Sequence, residues 1–212
     1  MTTPLIIVGA GGHARETAYA HLLGAPRASF LGFLDDHDTG STPEGWPILG
    51  TIDTASSHRH AAFVIAINDP RTRRSVADRL ARSGVSRWGS VVHPDVRVHD
   101  SVHRGVGCSI LGGCQLTTNI RLGDHCILNR GCQVSHDCVI GSYCSLNPAA
   151  CLAGSVTVGD GCEIGSACAI RQGTRVGRGC TLGLACAVVS DVSDDAVMVG
   201  NPARLLRSNI PW

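Results

Sequence analysis

The sequence predicts a small α/β unit followed by a parallel β-helix, and three observations carry that reading. Ten of the eleven cysteines (Cys108, Cys114, Cys126, Cys132, Cys138, Cys144, Cys162, Cys168, Cys180 and Cys186) are separated by six residues or a multiple of six. Two positions after nearly every member of that register stands an aliphatic residue, from Val98 and Ile110 through Leu128, Val134 and Ile140 to Val188. The first 88 residues differ in kind: they hold six of the eight aromatics, contain no Cys, and alternate strand-like with helix-like stretches.

The N-terminal unit is read first. Pro4-Leu5-Ile6-Ile7-Val8 is a short apolar run stopped by Gly9, the signature of a buried strand. Ala14 to Leu23 has helical character, with Gly24 placed to close it. Ser29 to Leu34 and Ala61 to Ile67 read as further strands, and Pro70 to Arg82 as a helix with proline in its first turn. Strands alternating with helices imply a parallel sheet, here a half-Rossmann-like domain over residues 1–88.

The β-helix occupies residues 89–188. A six-residue period with one small and one aliphatic residue turned inward is the pattern of coils stacked on a three-sided prism. Where Cys is missing from the register, Val96, Val102, Ile120, Ala150, Val156 or Thr174 fills the place, so the cysteines read as small corner-filling hydrophobes. A superperiod of eighteen supports three walls: Gly105, Gly123, Gly141, Gly159 and Gly177 recur at it and are expected to take positive φ at a tight corner. Asn129 and Asn147, also eighteen apart, are expected to stack as a ladder. Cys151 alone is out of phase and is expected to be a surface thiol. Residues 189–212 form a C-terminal tail.

Composition excludes several function classes. Eighteen arginines, no lysine and seventeen acidic residues leave a net charge of +1, which gives no electrostatic case for nucleic acid or an anionic membrane. No apolar run approaches the roughly 18 residues of a membrane span, and Met1 to Gly12 lacks the basic start of a signal peptide. A cytoplasmic protein with reduced thiols is the expectation. No C-x-x-C pair supports a zinc site, and His93, His99, His103 and His125 scatter over different walls, so no metal is expected.

Two stretches carry chemistry. Gly9-Ala10-Gly11-Gly12-His13-Ala14 follows a strand and opens a helix, where bare backbone N–H groups hold phosphate. Asp35 and Asp36 follow the second strand, placed to bind ribose or base. Eighty-eight residues hold little more than one mononucleotide half, which favours a nucleotide sugar over a dinucleotide. His13 is either a phosphate or sugar contact or an exposed residue at a helix start. On the β-helix, His136 and Asp137 lie between the inward Val134 and Cys138. A neutral His oriented by a carboxylate is a general base, although a lone His there also reads as a solvated surface residue.

These residues, with Gly32-Phe33-Leu34-Asp35-Asp36, Ala66-Ile67-Asn68-Asp69-Pro70, His93-Pro94, Leu128-Asn129, His136-Asp137-Cys138-Val139-Ile140-Gly141 and Val199-Gly200-Asn201-Pro202-Ala203, resemble the sugar acetyltransferases of bacterial surface glycans. That family includes the sialic acid O-acetyltransferases and the UDP-amino-sugar N-acetyltransferase of bacillosamine synthesis. The resemblance implies left-handed β-helices in a homotrimer, active sites between chains, acetyl-CoA as donor and no metal. It implies His136 as general base with Asp137 beside it, and a nucleotide sugar on Gly11, Gly12, His13, Asp35, Asp36 and Asn68, the last standing where relatives carry Gly. It implies an acetyl-CoA lining of Ser145, Gly154, Ser166 and Leu184, with Ser145 standing where some relatives place a His. The expected activity is acetyl transfer to the amino group of a nucleotide-linked amino sugar. O-acetylation of a sialic acid or another sugar is the alternative within the class. A non-catalytic nucleotide-sugar-binding trimer and a metal-dependent β-helix enzyme are the alternatives outside it.

Overall fold

The computed structural model describes residues 3–212. Strands β1 (Leu5–Val8), β2 (Phe30–Leu34), β3 (Ile48–Gly50) and β4 (Ala62–Ile65) form one parallel sheet in the order β3-β2-β1-β4. β1 is central and all four of its residues are buried, which is why it reads as an unbroken apolar run rather than an alternating one. Its side chains part to the two faces. Leu5 and Ile7 join Ala14 and Ala18 of helix α1 (Gly12–Gly24) in one core. Ile6 and Val8 join Val76, Ala77 and Leu80 of helix α2 (Pro70–Arg82) in another. The side chain of Asp69 caps α2 by accepting from the Thr72 N–H (2.7 Å), and Pro70 fills the first helical position. β3 was not foreseen as a strand; its three half-buried residues form the sheet edge.

The chain leaves this sheet at Gly89, whose N–H donates to Phe63 O (2.9 Å), and enters the first coil at Val91. From His103 on, two-residue strands repeat every six residues, pairing in parallel with the strand eighteen residues away. They build the three walls of a left-handed β-helix. The first wall stacks Val91, Ser109, Ile127, Ser145, Glu163 and Thr181; the second runs from Gln115 to Ala187, and the third from His103 to Arg175. Strand Ala196–Val199 extends the first wall, and strand Arg204–Ser208 returns antiparallel beside it.

The ten in-phase cysteines are all buried, and only Cys151 is partly accessible. Their thiols also close hydrogen bonds: Cys126, Cys144 and Cys162 donate to the carbonyls of Gly141 (3.0 Å), Gly159 (3.1 Å) and Gly177 (2.9 Å) in the next coil. Burial pushes the Cys168 thiol up to about 12 and raises Cys144 as well, so both stay protonated and unreactive.

Two expectations about the coils need correction. The glycines spaced by eighteen do not take positive φ; that conformation falls two residues later, at Gly107, His125, Tyr143, Gly161 and Gly179. The glycines are required by contact instead. A Cβ on Gly123 would sit 2.5 Å from Ser142 N, and one on Gly159 2.6 Å from Arg178 N, because the next coil's backbone stacks directly on them. Nor do Asn129 and Asn147 form a ladder. Asn129 Oδ1 accepts from the Arg130 N–H, whereas Asn147 turns to Asn68 and Glu163.

The two units are joined by a buried arginine and an aromatic column. Arg73 on α2 is fully buried and donates to four carbonyls: Ile67 (2.6 Å) and Asn68 (2.9 Å) of its own unit, His125 (2.8 Å) and Tyr143 (2.7 Å) of the β-helix. Beside it, His125 packs edge-on to Trp88 and stacks on Tyr143, with ring centroids 4.6 and 5.1 Å apart. Trp212 packs against Tyr143 and lies under the guanidinium groups of Arg71 and Arg74.

Candidate active site

Six residues expected to hold the nucleotide sugar come together. Gly11, Gly12, His13, Asp35, Asp36 and Asn68 line one cavity of about 420 Å³, closed on its apolar side by Ile52, Ile67 and Val76. Gly11 is the N-cap of α1 and supplies no side-chain cap, and the first turn has no acidic residue. The first N–H groups of the helix are therefore left for a ligand. A Cβ on Gly11 would meet nothing within 4 Å, so the cavity opens directly above it.

The two aspartates differ in their duties. Asp35 holds the loops in shape: its Oδ2 accepts from the Ala10 N–H (2.7 Å), and its Oδ1 accepts from the N–H groups of His37 (2.8 Å) and Asp38 (3.0 Å). Asp36 accepts from the Ile52 N–H (3.0 Å) and pairs with Arg79, whose hydrogen bond holds the Asp36 carboxyl below its usual range. His13 is not an exposed helix-start residue. Both ring nitrogens are buried without a hydrogen-bond partner, and burial lowers its pKa to about 4, with Arg73 and Arg130 adding to the effect. The ring is thus a neutral donor and acceptor on a residue that lines the cavity.

His136 stands elsewhere, on the edge between the second and third walls. Its Nδ1 meets Asp137 Oδ2 at 2.7 Å, and Asp137 Oδ1 accepts from Asn119 Nδ2 at 2.6 Å. Asp137 takes positive φ (62°), which turns its carboxylate back to the preceding ring. The Asn119 amide, then His136, lowers the Asp137 pKa, so the carboxylate stays charged. With Nδ1 tied, Nε2 is the ring nitrogen that makes no hydrogen bond among the described residues. The ring lies over Gly154, where a Cβ would sit 2.5 Å from His136 Cε1. Asn119 escaped the sequence reading, although its place eighteen residues before Asp137 was a usable signal.

The four residues expected along acetyl-CoA are divided. Gly154 lies beneath His136. Ser166 and Leu184 stack on the edge between the first and second walls, Ala185 N–H donating to Ser166 O (2.9 Å), and Leu184 is 76% exposed. Ser145 belongs to neither edge. It is fully buried on the first wall, and its hydroxyl donates to Asn68 O at 2.6 Å, so it joins the β-helix to the loop that carries Asn68. The first–second edge also carries Arg130, which reaches Glu16 of α1 (3.4 Å). Within one chain, then, the cavity faces the first wall while His136 stands on the opposite edge.

No helix among the described residues is long and apolar enough to cross a membrane. Residues 4–80 match the PglD N-terminal domain family. No curated protein sequence gives a significant match. Among solved structures, the chain is similar over 97% of its length to the acetyltransferase domain of PglB from Neisseria gonorrhoeae, with 30% identity, a TM-score of 0.87 and 100% of that chain covered. That domain has also been solved in complex with acetyl coenzyme A. A perosamine N-acetyltransferase variant from Caulobacter crescentus, in complex with CoA and GDP-perosamine, matches with 27% identity, a TM-score of 0.89 and 97% of each chain covered. WeeI from Acinetobacter baumannii AYE matches with 29% identity and a TM-score of 0.86 over 97% of this chain and 100% of that one.

Proposed function

The chain belongs to the family of bacillosamine-type sugar N-acetyltransferases, and from that premise we propose that it moves the acetyl group of acetyl-CoA to the amino group of a nucleotide-linked amino sugar. The observation that supports this most is the pairing of two features. One is a helix-capped cavity lined by a neutral His13. The other is an exposed His136 whose Nδ1 is held by a charged carboxylate. GDP-perosamine in a relative at 27% identity supports the substrate class.

In this reading the nucleotide lies over Gly11 and Gly12, its diphosphate on the open N–H groups of α1, with Asp36, Ile52 and Val76 toward the base. The thioester is already activated, so the chain must position the amine and take its proton. His136 Nε2 accepts that proton as the amine nitrogen attacks the thioester carbon; the tetrahedral intermediate then collapses, the C–S bond breaks, and the sulfur of coenzyme A leaves as a thiol with the proton returned from the imidazolium. Asp137, held by Asn119, fixes the tautomer that leaves Nε2 free and favours the imidazolium as it forms. The Gly154 N–H donates to no carbonyl among the described residues and serves as an oxyanion donor. Ser166 and Leu184 line the path of acetyl-CoA. Because the cavity and His136 face different ways in one chain, the working site forms between neighbours in a homotrimer, a cytoplasmic enzyme of glycan synthesis.

The experiment is thiol release from acetyl-CoA against a panel of UDP-, GDP- and dTDP-linked amino sugars. At least one should be turned over, and His136→Ala should lower kcat by roughly 10²-fold or more with the fold retained. Unchanged turnover in that variant would remove His136 from the mechanism. Turnover only with a free sugar hydroxyl would replace N- by O-acetylation.

A further inference from the structure

Asn68 ends a chain of three side chains that crosses between the two units. Its Nδ2 donates to Asn147 Oδ1 (2.9 Å), and Asn147 Nδ2 donates to Glu163 Oε1 (3.1 Å) on the first wall. The direction of this chain is not free. An ionised carboxylate only accepts, so Asn147 must turn its NH₂ toward Glu163 and its oxygen toward Asn68. Asn68 must then turn its own NH₂ toward Asn147. What remains is Asn68 Oδ1, a buried acceptor without a partner, on a residue that lines the nucleotide cavity. An amide flip, the usual ambiguity of Asn, would set two oxygens against each other at one of the joints. A buried unpaired acceptor is costly, and a ligand that supplies a donor removes that cost.

We propose that Glu163 and Asn147 are positioning residues that hold Asn68 as an obligate hydrogen-bond acceptor, and that its partner is an O–H or N–H on the sugar of the nucleotide-linked substrate. The inference rests on the function proposed above. The sugar, rather than the base, is the partner because of where Asn68 lies. Its amide is bonded to the β-helix, whereas Ile52 and Val76, toward which the base is placed, belong to the core under α2. Ser145 and Arg73 both take the Asn68 carbonyl, so the backbone beneath the amide is fixed and the acceptor is pre-set before the substrate arrives.

The test is steady-state kinetics with the nucleotide amino sugar that the wild type turns over, joined to binding of the matching nucleoside diphosphate. Asn68→Ala should raise KM for the nucleotide sugar about tenfold, the cost of one hydrogen bond. It should leave kcat within about twofold, and leave KM for acetyl-CoA and affinity for the nucleoside diphosphate alone unchanged. Glu163→Gln, which frees the amides to turn over, should raise the same KM about threefold in the wild-type background and not at all in the Asn68→Ala background. Equal effects of Glu163→Gln in both backgrounds, or a lowered melting temperature with no change in KM, would reduce the chain to a structural one and overturn the proposal. Loss of nucleoside diphosphate affinity in Asn68→Ala would move the contact to the base or ribose and overturn it too. If the wild type turns over no nucleotide amino sugar, the proposed function falls as well. If it does and Asn68→Ala keeps its KM, only this inference falls.

Discussion

Gly154 is the residue on which the position of His136 depends. The imidazole lies across the next coil, and a Cβ at 154 would come within 2.5 Å of Cε1 and 2.6 Å of Nε2. His136 is on an exposed edge and 54% accessible, so the ring would swing aside rather than strain the coil. On the proposed function, Gly154→Ala should therefore fold normally and lower kcat about tenfold or more, because a misplaced base loses its geometry. KM for the nucleotide sugar should stay within about twofold. Wild-type kcat in purified Gly154→Ala would show that the ring need not rest there. The resemblance, not the spacing, named His136, Asp137 and Gly154 together; the eighteen residues between His136 and Gly154 are one coil, which is why the ring lies over that glycine. The sequence did not tell why Gly105, Gly123 and their repeats are glycine. A six-residue pattern specifies inward and outward positions, whereas the approach of the next backbone is a property of stacked coils.

Helix α2 shows where reading by element stops. Its start was legible, because Asp69-Pro70 is a cap followed by proline at the first position. Its role was not. Nothing among the five arginines of Pro70–Arg82 marks one for the interior, yet Arg73 is fully buried, and two of its four carbonyl partners lie 52 and 70 residues away. Those partners, His125 and Tyr143, are eighteen apart and share one edge, so a single guanidinium grips two successive coils and the loop that carries Asn68. The planar fork of Arg suits this task, since its N–H groups spread toward several carbonyls at once. Arg73→Met keeps the stem and removes the fork, leaving buried carbonyls short of a donor. It should cost about 3 kcal/mol of stability, seen as an earlier unfolding midpoint in denaturant. KM for the nucleotide sugar should rise with it, because Ile67 and Asn68 lose their anchor. An unfolding curve coincident with the wild type would show that the grip adds nothing.

At the scale of the whole molecule, the seam between the units holds two histidines that the fold keeps neutral. His13 lies at the start of α1 beside the cavity, and His125 lies between Trp88 and Tyr143 with the Arg73 guanidinium on its own carbonyl. Burial lowers each pKa to about 4. Arg73 acts in the same direction on both, while Asp124 opposes it at His125. In the unfolded chain both titrate near 6.5, so below that pH the unfolded state binds more protons than the folded one. The stability these groups contribute is complete above pH 6.5 and is lost as pH falls toward 4, on the order of 3 kcal/mol for the nearly inaccessible His125. The melting temperature should therefore be level above about pH 7 and fall steeply between 6.5 and 4. His125→Phe keeps an aromatic ring in the column and removes the titration, and it should make that fall shallower without raising stability at pH 7.5. Nucleotide sugar bound beside His13 should oppose the remainder of the fall, since it stabilises only the folded state. A melting temperature as steep in His125→Phe as in the wild type would show that the seam is not where acid acts. The distinction matters because the seam sets the position of the cavity on the first wall, and loosening it should weaken substrate binding before the coils themselves unfold.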